Sequence, residues 1–277
     1  MPSQARPRVS RLRGLEVLFV FRKAAAILAF AAAFSCLGVG LAQAGAWPVD
    51  PGRTQIIAKY ERVDADQGYD ADAVLVDIGE RQDEMSTVFI EHGLTRRLTL
   101  QAKAGLTRGS DRWVDYSGRG PVEAGLRWSV RHDERSALSL YIGAAEAGEG
   151  RNAGYAAPGK GSLDLEARLL YGRSGVWRGR EVFVDLQAAR LKREGLADET
   201  RVDVTLGARP ARNWLLLVQT YAGRADRSPV RSHWIKQEIS VVRAFGDWSV
   251  QAGWRDTISG RETSRDRGVV LGLWRRL

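Results

Sequence analysis

Of 277 residues, one is cysteine and three are histidine. The lone Cys36 excludes an internal disulfide and a cysteine-based zinc site. His92, His132 and His233 leave little material for histidine-metal or triad chemistry. Beyond residue 53 no apolar run reaches the roughly 20 residues that a membrane helix requires. Hydrophobic residues are nonetheless 44% of the chain, too many for a disordered one. Positive charge is also plentiful, with 42 Lys and Arg against 33 Asp and Glu, a net +9. A charge of that size raises nucleic acid as a partner until its distribution along the chain is read.

That distribution removes most of the case. Arg6, Arg8, Arg11, Arg13, Arg22 and Lys23 precede an apolar run from Ala24 to Leu41, which ends in Ala42-Gln43-Ala44-Gly45-Ala46. A basic start, an apolar stretch and small residues at its end are the pattern of an export signal. Residues 1–46 are therefore expected to be a signal peptide cleaved after Ala44 or Ala46, with 47–277 as the exported domain. The signal carries six basic residues and Glu16, so its +5 taken from +9 leaves +4 for the rest. No nucleic acid is expected as a partner.

From residue 53 onward, apolar and polar residues alternate. Leu98, Leu100, Ala102, Ala104 and Leu106 interleave with Thr99, Gln101, Lys103 and Thr107, and Leu163, Leu165, Ala167, Leu169 and Tyr171 interleave with Asp164, Glu166 and Arg168. Period two means strands with one apolar and one polar face. The pattern predicts twelve strands, near 53–63, 82–92, 98–108, 119–130, 136–146, 162–172, 181–191, 200–209, 214–224, 233–245, 248–258 and 267–277. Short turns are expected at Gly93–Arg97, His132–Arg135, Ser174–Arg180, Pro210–Asn213 and Gly246–Asp247. Longer polar loops are expected at Asp64–Arg81, Gly109–Gly118, Ala147–Gly161, Lys192–Glu199, Ala225–Ser232 and Ser259–Asp266. Strands of about ten residues, joined by short turns on one rim and long loops on the other, describe an all-β, up-and-down antiparallel transmembrane barrel. Trp128, Tyr171, Trp214, Phe245 and Trp248 all fall on the apolar face beside the short turns, as a membrane-interface girdle would.

Over 47–277 the chain resembles the Gram-negative outer-membrane β-barrels, in their porin-like and transporter-like forms. The final strand, with Val269, Leu271, Leu273 and Leu277 on one face, matches the amphipathic last strand of that class. Leu277 stands where the class usually ends in an aromatic residue, and Arg275 interrupts the apolar face. The resemblance implies residence in the bacterial outer membrane, delivery by the barrel assembly machinery, and contact with membrane lipid and lipopolysaccharide. The external rim supplies cations, mostly arginines suited to phosphate: Arg108, Arg112, Arg119, Lys192, Arg193, Arg224, Arg227, Arg231, Arg261, Arg265 and Arg267.

Projecting the polar face inward predicts the lumen lining. The cations are Lys59, Lys103, Arg127, Arg168, Arg201, Lys236 and Arg255; the anions are Glu61, Glu91, Glu123, Asp164, Glu166, Asp185, Asp203 and Glu238. Such charges can brace the interior as ion pairs or filter solutes along a water-filled path. The expected function is passive, porin-like diffusion of small hydrophilic solutes. The alternatives are a closed barrel with a structural or surface-binding role through its long loops, and a membrane-embedded hydrolase, disfavoured because the three histidines lie on different rims without an obvious Ser or Asp partner.

No residue pattern calls for a cofactor or metal. Gly154-Tyr155-Ala156-Ala157-Pro158-Gly159-Lys160 imitates a phosphate-binding loop, but Gly161 stands where Ser or Thr is needed and a strand follows in place of a helix. It reads instead as a flexible external loop able to fold into the barrel mouth. Asp64, Asp66, Asp70 and Asp72 lack the spacing of a calcium-binding EF-hand and read as a solvated acidic loop.

Overall fold

A computed structural model describes residues 45–159, 161–226 and 231–277, and residues 1–44 of the expected export segment 1–46 lie outside them. The strands are β1 (Thr54–Tyr69), β2 (Leu75–Gly93), β3 (Leu98–Asp111), β4 (Asp115–Arg119), β5 (Val122–His132), β6 (Ser136–Glu146), β7 (Leu163–Trp177), β8 (Arg180–Arg193), β9 (Asp198–Ala211), β10 (Trp214–Asp226), β11 (Arg231–Phe245), β12 (Trp248–Arg261), β13 (Thr263–Ser264) and β14 (Arg267–Arg276). Every pairing between them is antiparallel, and consecutive strands are neighbours. β4 and β5 both pair with β3 and form one stave, interrupted at Gly120-Pro121, where proline has no N–H to give the ladder. β13 and β14 likewise both pair with β1. Fourteen strands thus make twelve staves.

β1 pairs with β2 on one side and with β14 on the other, from Gln55↔Arg276 to Asp64↔Arg267, so the sheet closes. The seam runs to the last residue: the Thr54 and Leu277 amides each donate to the other's carbonyl, at 3.0 and 2.8 Å. Closure leaves no unpaired edge, which a sheet surrounded by hydrocarbon needs because lipid offers backbone groups no partner. Outward residues of the alternating segments are exposed and apolar, as at Ile142 (72%), Leu106 (67%) and Ile239 (59%). Among the described residues no helix is long and apolar enough to cross a membrane; the crossing elements are strands.

The turns of the short-connection rim are tight. β7 and β8 run further than expected, to Arg178-Gly179, whose φ values of 49° and 73° fit a two-residue turn matched to strand twist. On the opposite rim most of the expected long loops are continued strand. β1 reaches Tyr69, β2 begins at Leu75, and β8 to β12 likewise extend past the expected ends. Beyond the lipid an outward residue has no need to be apolar, so alternation fades from the sequence while backbone pairing continues. Asp64 and Asp66 accordingly lie in β1, and the hairpin closes on Asp70, whose carboxylate accepts the Asp72 and Val74 amides at 2.9 Å each. Among the described residues the longest link between strands begins at Ala147 and folds inward over the mouth, where Arg151 meets Asp83 and Asp111.

The aromatic positions lie at the short-turn rim on the outer wall. Trp128 and Trp214 are 48% and 40% exposed. The Arg243 guanidinium lies 4.7 Å from the Trp214 ring and 5.6 Å from Phe245, and Arg275 lies 4.5 Å over Trp248. Stacking on a ring gives an arginine on the lipid face a partner while its head reaches the interface. The charge at Arg275 is accommodated in this way. Tyr171 and Trp248 are partly covered.

Candidate functional site

The pleat turns one residue in two to each side of the wall, and thirteen of the fifteen charged residues projected inward from the sequence form ion pairs. They meet in tiers along the barrel axis. At mid-height, Glu238 is wholly buried and receives Lys59 Nζ at 3.2 Å and Arg255 Nη2 at 2.6 Å; Glu61 receives the same two cations, each at 2.7 Å. Ser240 and Gln251 complete the shell of Glu238. Arg255 also stacks 4.9 Å over the Tyr221 ring. On the facing wall Lys103 pairs with Glu123 at 2.6 Å, the Tyr141 hydroxyl donates to Glu123 at 2.8 Å, and Arg168 pairs with Glu166.

Nearer the mouth Arg193 bridges Asp164 at 3.0 Å and Glu199 at 2.5 Å, Arg201 also reaches Glu199, and Lys236 reaches Asp266 at 2.8 Å. Arg193 thus belongs to the lumen and not to the external rim, because β8 continues in register past the membrane and its odd residues keep facing inward. Arg227 lies outside the described residues. From loop 147–162, Arg151 drops into the mouth and pairs with Asp83 at 2.9 Å and Asp111 at 2.7 Å. Burial opposes its charged form, but those two carboxylates outweigh burial and raise its pKa. Tyr155 of the same loop comes within 3.5 Å of the Tyr69 carbonyl. Lys160 of the phosphate-loop look-alike lies outside the described residues.

Between these walls lies an open cavity of about 470 Å³. Asp203 lines it, as do Glu61, Lys103, Glu123, Asp164, Glu166, Arg201, Lys236 and Arg255. Its full lining carries nine carboxylates and seven cationic side chains.

The short-turn end of the lumen is different, and part of it was not legible in the sequence. Residues 45–50, ahead of β1, fold up inside the barrel. Ala46 is fully buried and Trp47 is 6% exposed, packed with Ala137, Tyr141 and Leu170. Arg127, itself 1% exposed, holds this segment: Nη1 donates to the Gly45 carbonyl at 2.5 Å and Nη2 to the Trp47 carbonyl at 2.7 Å, while the guanidinium pairs with Glu91 at 2.6 Å. Ser139 Oγ donates to the Ala46 carbonyl at 2.6 Å, Thr99 Oγ1 accepts the Val49 amide at 3.1 Å, and the Ala46 amide donates to Asp185 at 2.9 Å. The Trp47 indole N–H donates to the carbonyl of Asp133 in the β5–β6 turn. That turn is rigid: the amides of Arg135 and Ser136 bond the exposed Asp133 carboxylate and hold its pKa below the usual range. The signals that marked the segment are Trp47 before the first strand and small inward residues opposite it. A Cβ on Gly172 would lie 2.2 Å from the Trp47 ring, so glycine there makes room for the indole.

The interior is also less uniformly polar than the alternation implied. Leu215, Leu217 and Val242 face inward at this end and pack with Phe183 and Trp274. Small and aromatic residues can fill the taper there because charges at that depth would be stripped of water.

The histidines sit apart. His92 Nδ1 meets the Thr54 hydroxyl at 2.9 Å. His132 Nδ1 does find a serine, Ser129 Oγ at 3.1 Å, contrary to the sequence reading. Ser129 is fully buried, and among the described residues no carboxylate accepts a hydrogen bond from this histidine to complete a triad. Among the described residues no group of three or more His, Cys, Asp or Glu could hold a metal ion, the acidic positions of the first hairpin included.

No known protein family and no curated protein matches the sequence. Solved structures do match in shape. The COG4313 outer membrane channel from Pseudomonas putida F1 superposes with a TM-score of 0.68 at 13% identity, covering 86% of this chain and 100% of that one. The NanC porin superposes with a TM-score of 0.51 at 6% identity, covering 80% and 100%. Identities this low speak to fold alone. With its closed twelve-stave wall, apolar exterior and charged interior, the chain is an outer-membrane β-barrel in fold.

Proposed function

We propose that the protein is a porin-like channel of the bacterial outer membrane, passing small hydrophilic solutes and closed at rest on its periplasmic side by residues 45–50. The observation that carries this reading is the charged cavity of about 470 Å³ inside a lipid-coated wall. A purely structural barrel gains nothing from holding so many charges around open space, because buried ion pairs stabilise a fold weakly. Nine carboxylates against seven cations make the passage mildly cation-preferring. Export occurs with loss of the signal peptide, and folding uses the barrel assembly machinery. Outside, arginines such as Arg112, stacked 4.2 Å over the exposed Trp113, face lipopolysaccharide phosphates. The function is transport and not catalysis, since Ser129 is buried and, among the described residues, no carboxylate completes the Ser129–His132 pair.

The second reading is a closed barrel, and the packed segment 45–50 favours it. Planar-bilayer recording of the intact protein beside a variant lacking residues 45–50 separates the two. Current steps that grow or become more frequent on deletion support the channel. Silence from both proteins refutes it. If steps appear, Glu123→Ala shifts the reversal potential toward anions by removing the partner of Lys103.

A further inference from the structure

Asp185 is a buried carboxylate with no ion-pair partner among the described residues. It is 2% exposed on the inner face of β8, and its hydrogen bonds come from neutral donors, the Ala46 amide at 2.9 Å and Gln187 Nε2 at 2.7 Å. Among the described residues no cationic group lies within ion-pair distance of it: Arg127 is committed to Glu91 and two carbonyls, and Arg168 to Glu166 and Gln187. A carboxylate buried without a cation is costly. The backbone beside it belongs to Gly45, and a side chain at that position would stand 3.8 Å from Asp185 Oδ1 and 2.9 Å from Gln187 Nε2. Gly45 directly follows Ala42-Gln43-Ala44, the small-x-small pattern of signal cleavage.

We infer that the export signal is cut between Ala44 and Gly45, and that the α-ammonium so created is the counter-ion of Asp185. The inference rests on the export reading above. In the cut, water adds across the peptide bond: the Ala44 carbonyl takes the hydroxyl and leaves with the signal as a carboxylate, while the Gly45 nitrogen takes the proton. An α-amine has an ordinary pKa near 8 and gains a further proton at neutral pH. Cleavage therefore creates a cation beside Asp185, on the segment that closes the lumen. Cleavage after Ala46 instead would remove the Gly45 carbonyl from Arg127 and the Ala46 groups from Asp185 and Ser139, discarding three of the bonds that seat the segment. Processing thereby strengthens closure, because an uncut chain offers Asp185 only neutral donors.

The test begins with the intact mass and amino-terminal sequence of the protein exported from its full-length gene. The expected first residue is Gly45. A chain beginning at Trp47 or elsewhere overturns the inference and leaves export standing, whereas an uncut chain overturns both. The second measurement is the rate at which an amine-acylating reagent modifies the α-amine of the folded protein near pH 7. The expected rate is slow, rising on the order of 100-fold in Asp185→Asn, the scale for losing one partner of a buried ion pair. Should that variant fail to fold, the native protein is compared with its own denatured chain, and protection of similar size is expected. An α-amine as reactive in the folded barrel as in denaturant, or equally protected in Asp185→Asn, refutes the pairing.

Discussion

Arg127→Met tests how residues 45–50 are held. The substitution keeps much of the side-chain volume and removes both donors to the segment, at 2.5 Å to Gly45 and 2.7 Å to Trp47. A hydrogen bond to a charged group contributes about 1.5–3 kcal/mol, so the two together stabilise the seated segment by about 3–6 kcal/mol. Glu91 loses its cation as well, but Gln101 Nε2 still donates to it at 2.7 Å, and unseating the segment exposes it to water. That part of the penalty is therefore relieved in the unseated state and favours unseating further. Taking about 3 kcal/mol as the smaller figure, the ratio of unseated to seated forms rises about 100-fold. Planar-bilayer recording reads this as an increased open fraction, with the conductance of each open channel close to that of the protein lacking residues 45–50. The β-barrel itself survives, because the substituted side chain is not part of the backbone ladder; resistance to detergent denaturation at room temperature checks this. An open fraction unchanged from the parent, in a folded barrel, would refute the role given to Arg127 and the idea that this segment closes the path.

Three other expectations follow from the same geometry. Gly172→Val places a branched side chain where even a Cβ stands 2.2 Å from the Trp47 ring, so it should unseat the segment and raise the open fraction as Arg127→Met does; Gly175→Val, with nothing near its Cβ position, should not. Glu238→Ala removes the buried carboxylate shared by Lys59 and Arg255, and breaking such a cluster should lower barrel stability by about 3–5 kcal/mol, read as a lower midpoint of denaturation in detergent. Arg151→Ala releases loop 147–162 from Asp83 and Asp111 and should quicken entry of a small polar solute into liposomes carrying the channel; an unchanged swelling rate would show that the loop does not narrow the mouth.

Much of the wall is written in the residues themselves. Leu98 to Leu106 and Leu163 to Tyr171 state their outward face by alternation alone, since consecutive side chains of a strand point to opposite sides whatever the rest of the chain does. The twelve staves, the aromatic rim from Trp128 to Trp248 and the inward direction of Glu238 or Arg127 are local in this sense. What alternation cannot state is which inward residues meet. Lys59 and Glu238 are 179 positions apart, and they touch because β1 closes on β14 in one particular register, a property of the whole ring. Arg193 looked external because the apolar signal stops at the lipid, while backbone pairing carried its strand onward and kept its side chain inside. The seating of Gly45, Ala46 and Trp47 in the lumen was furthest from view. It depends on a cavity that exists only after closure, with Arg127, Ser139 and Asp185 supplied to it from three different strands. The sequence by itself determined the face each residue presents; the tertiary structure decided what stands opposite it, because contact across a lumen is set by strand register and closure, and neither leaves a periodic trace in the chain.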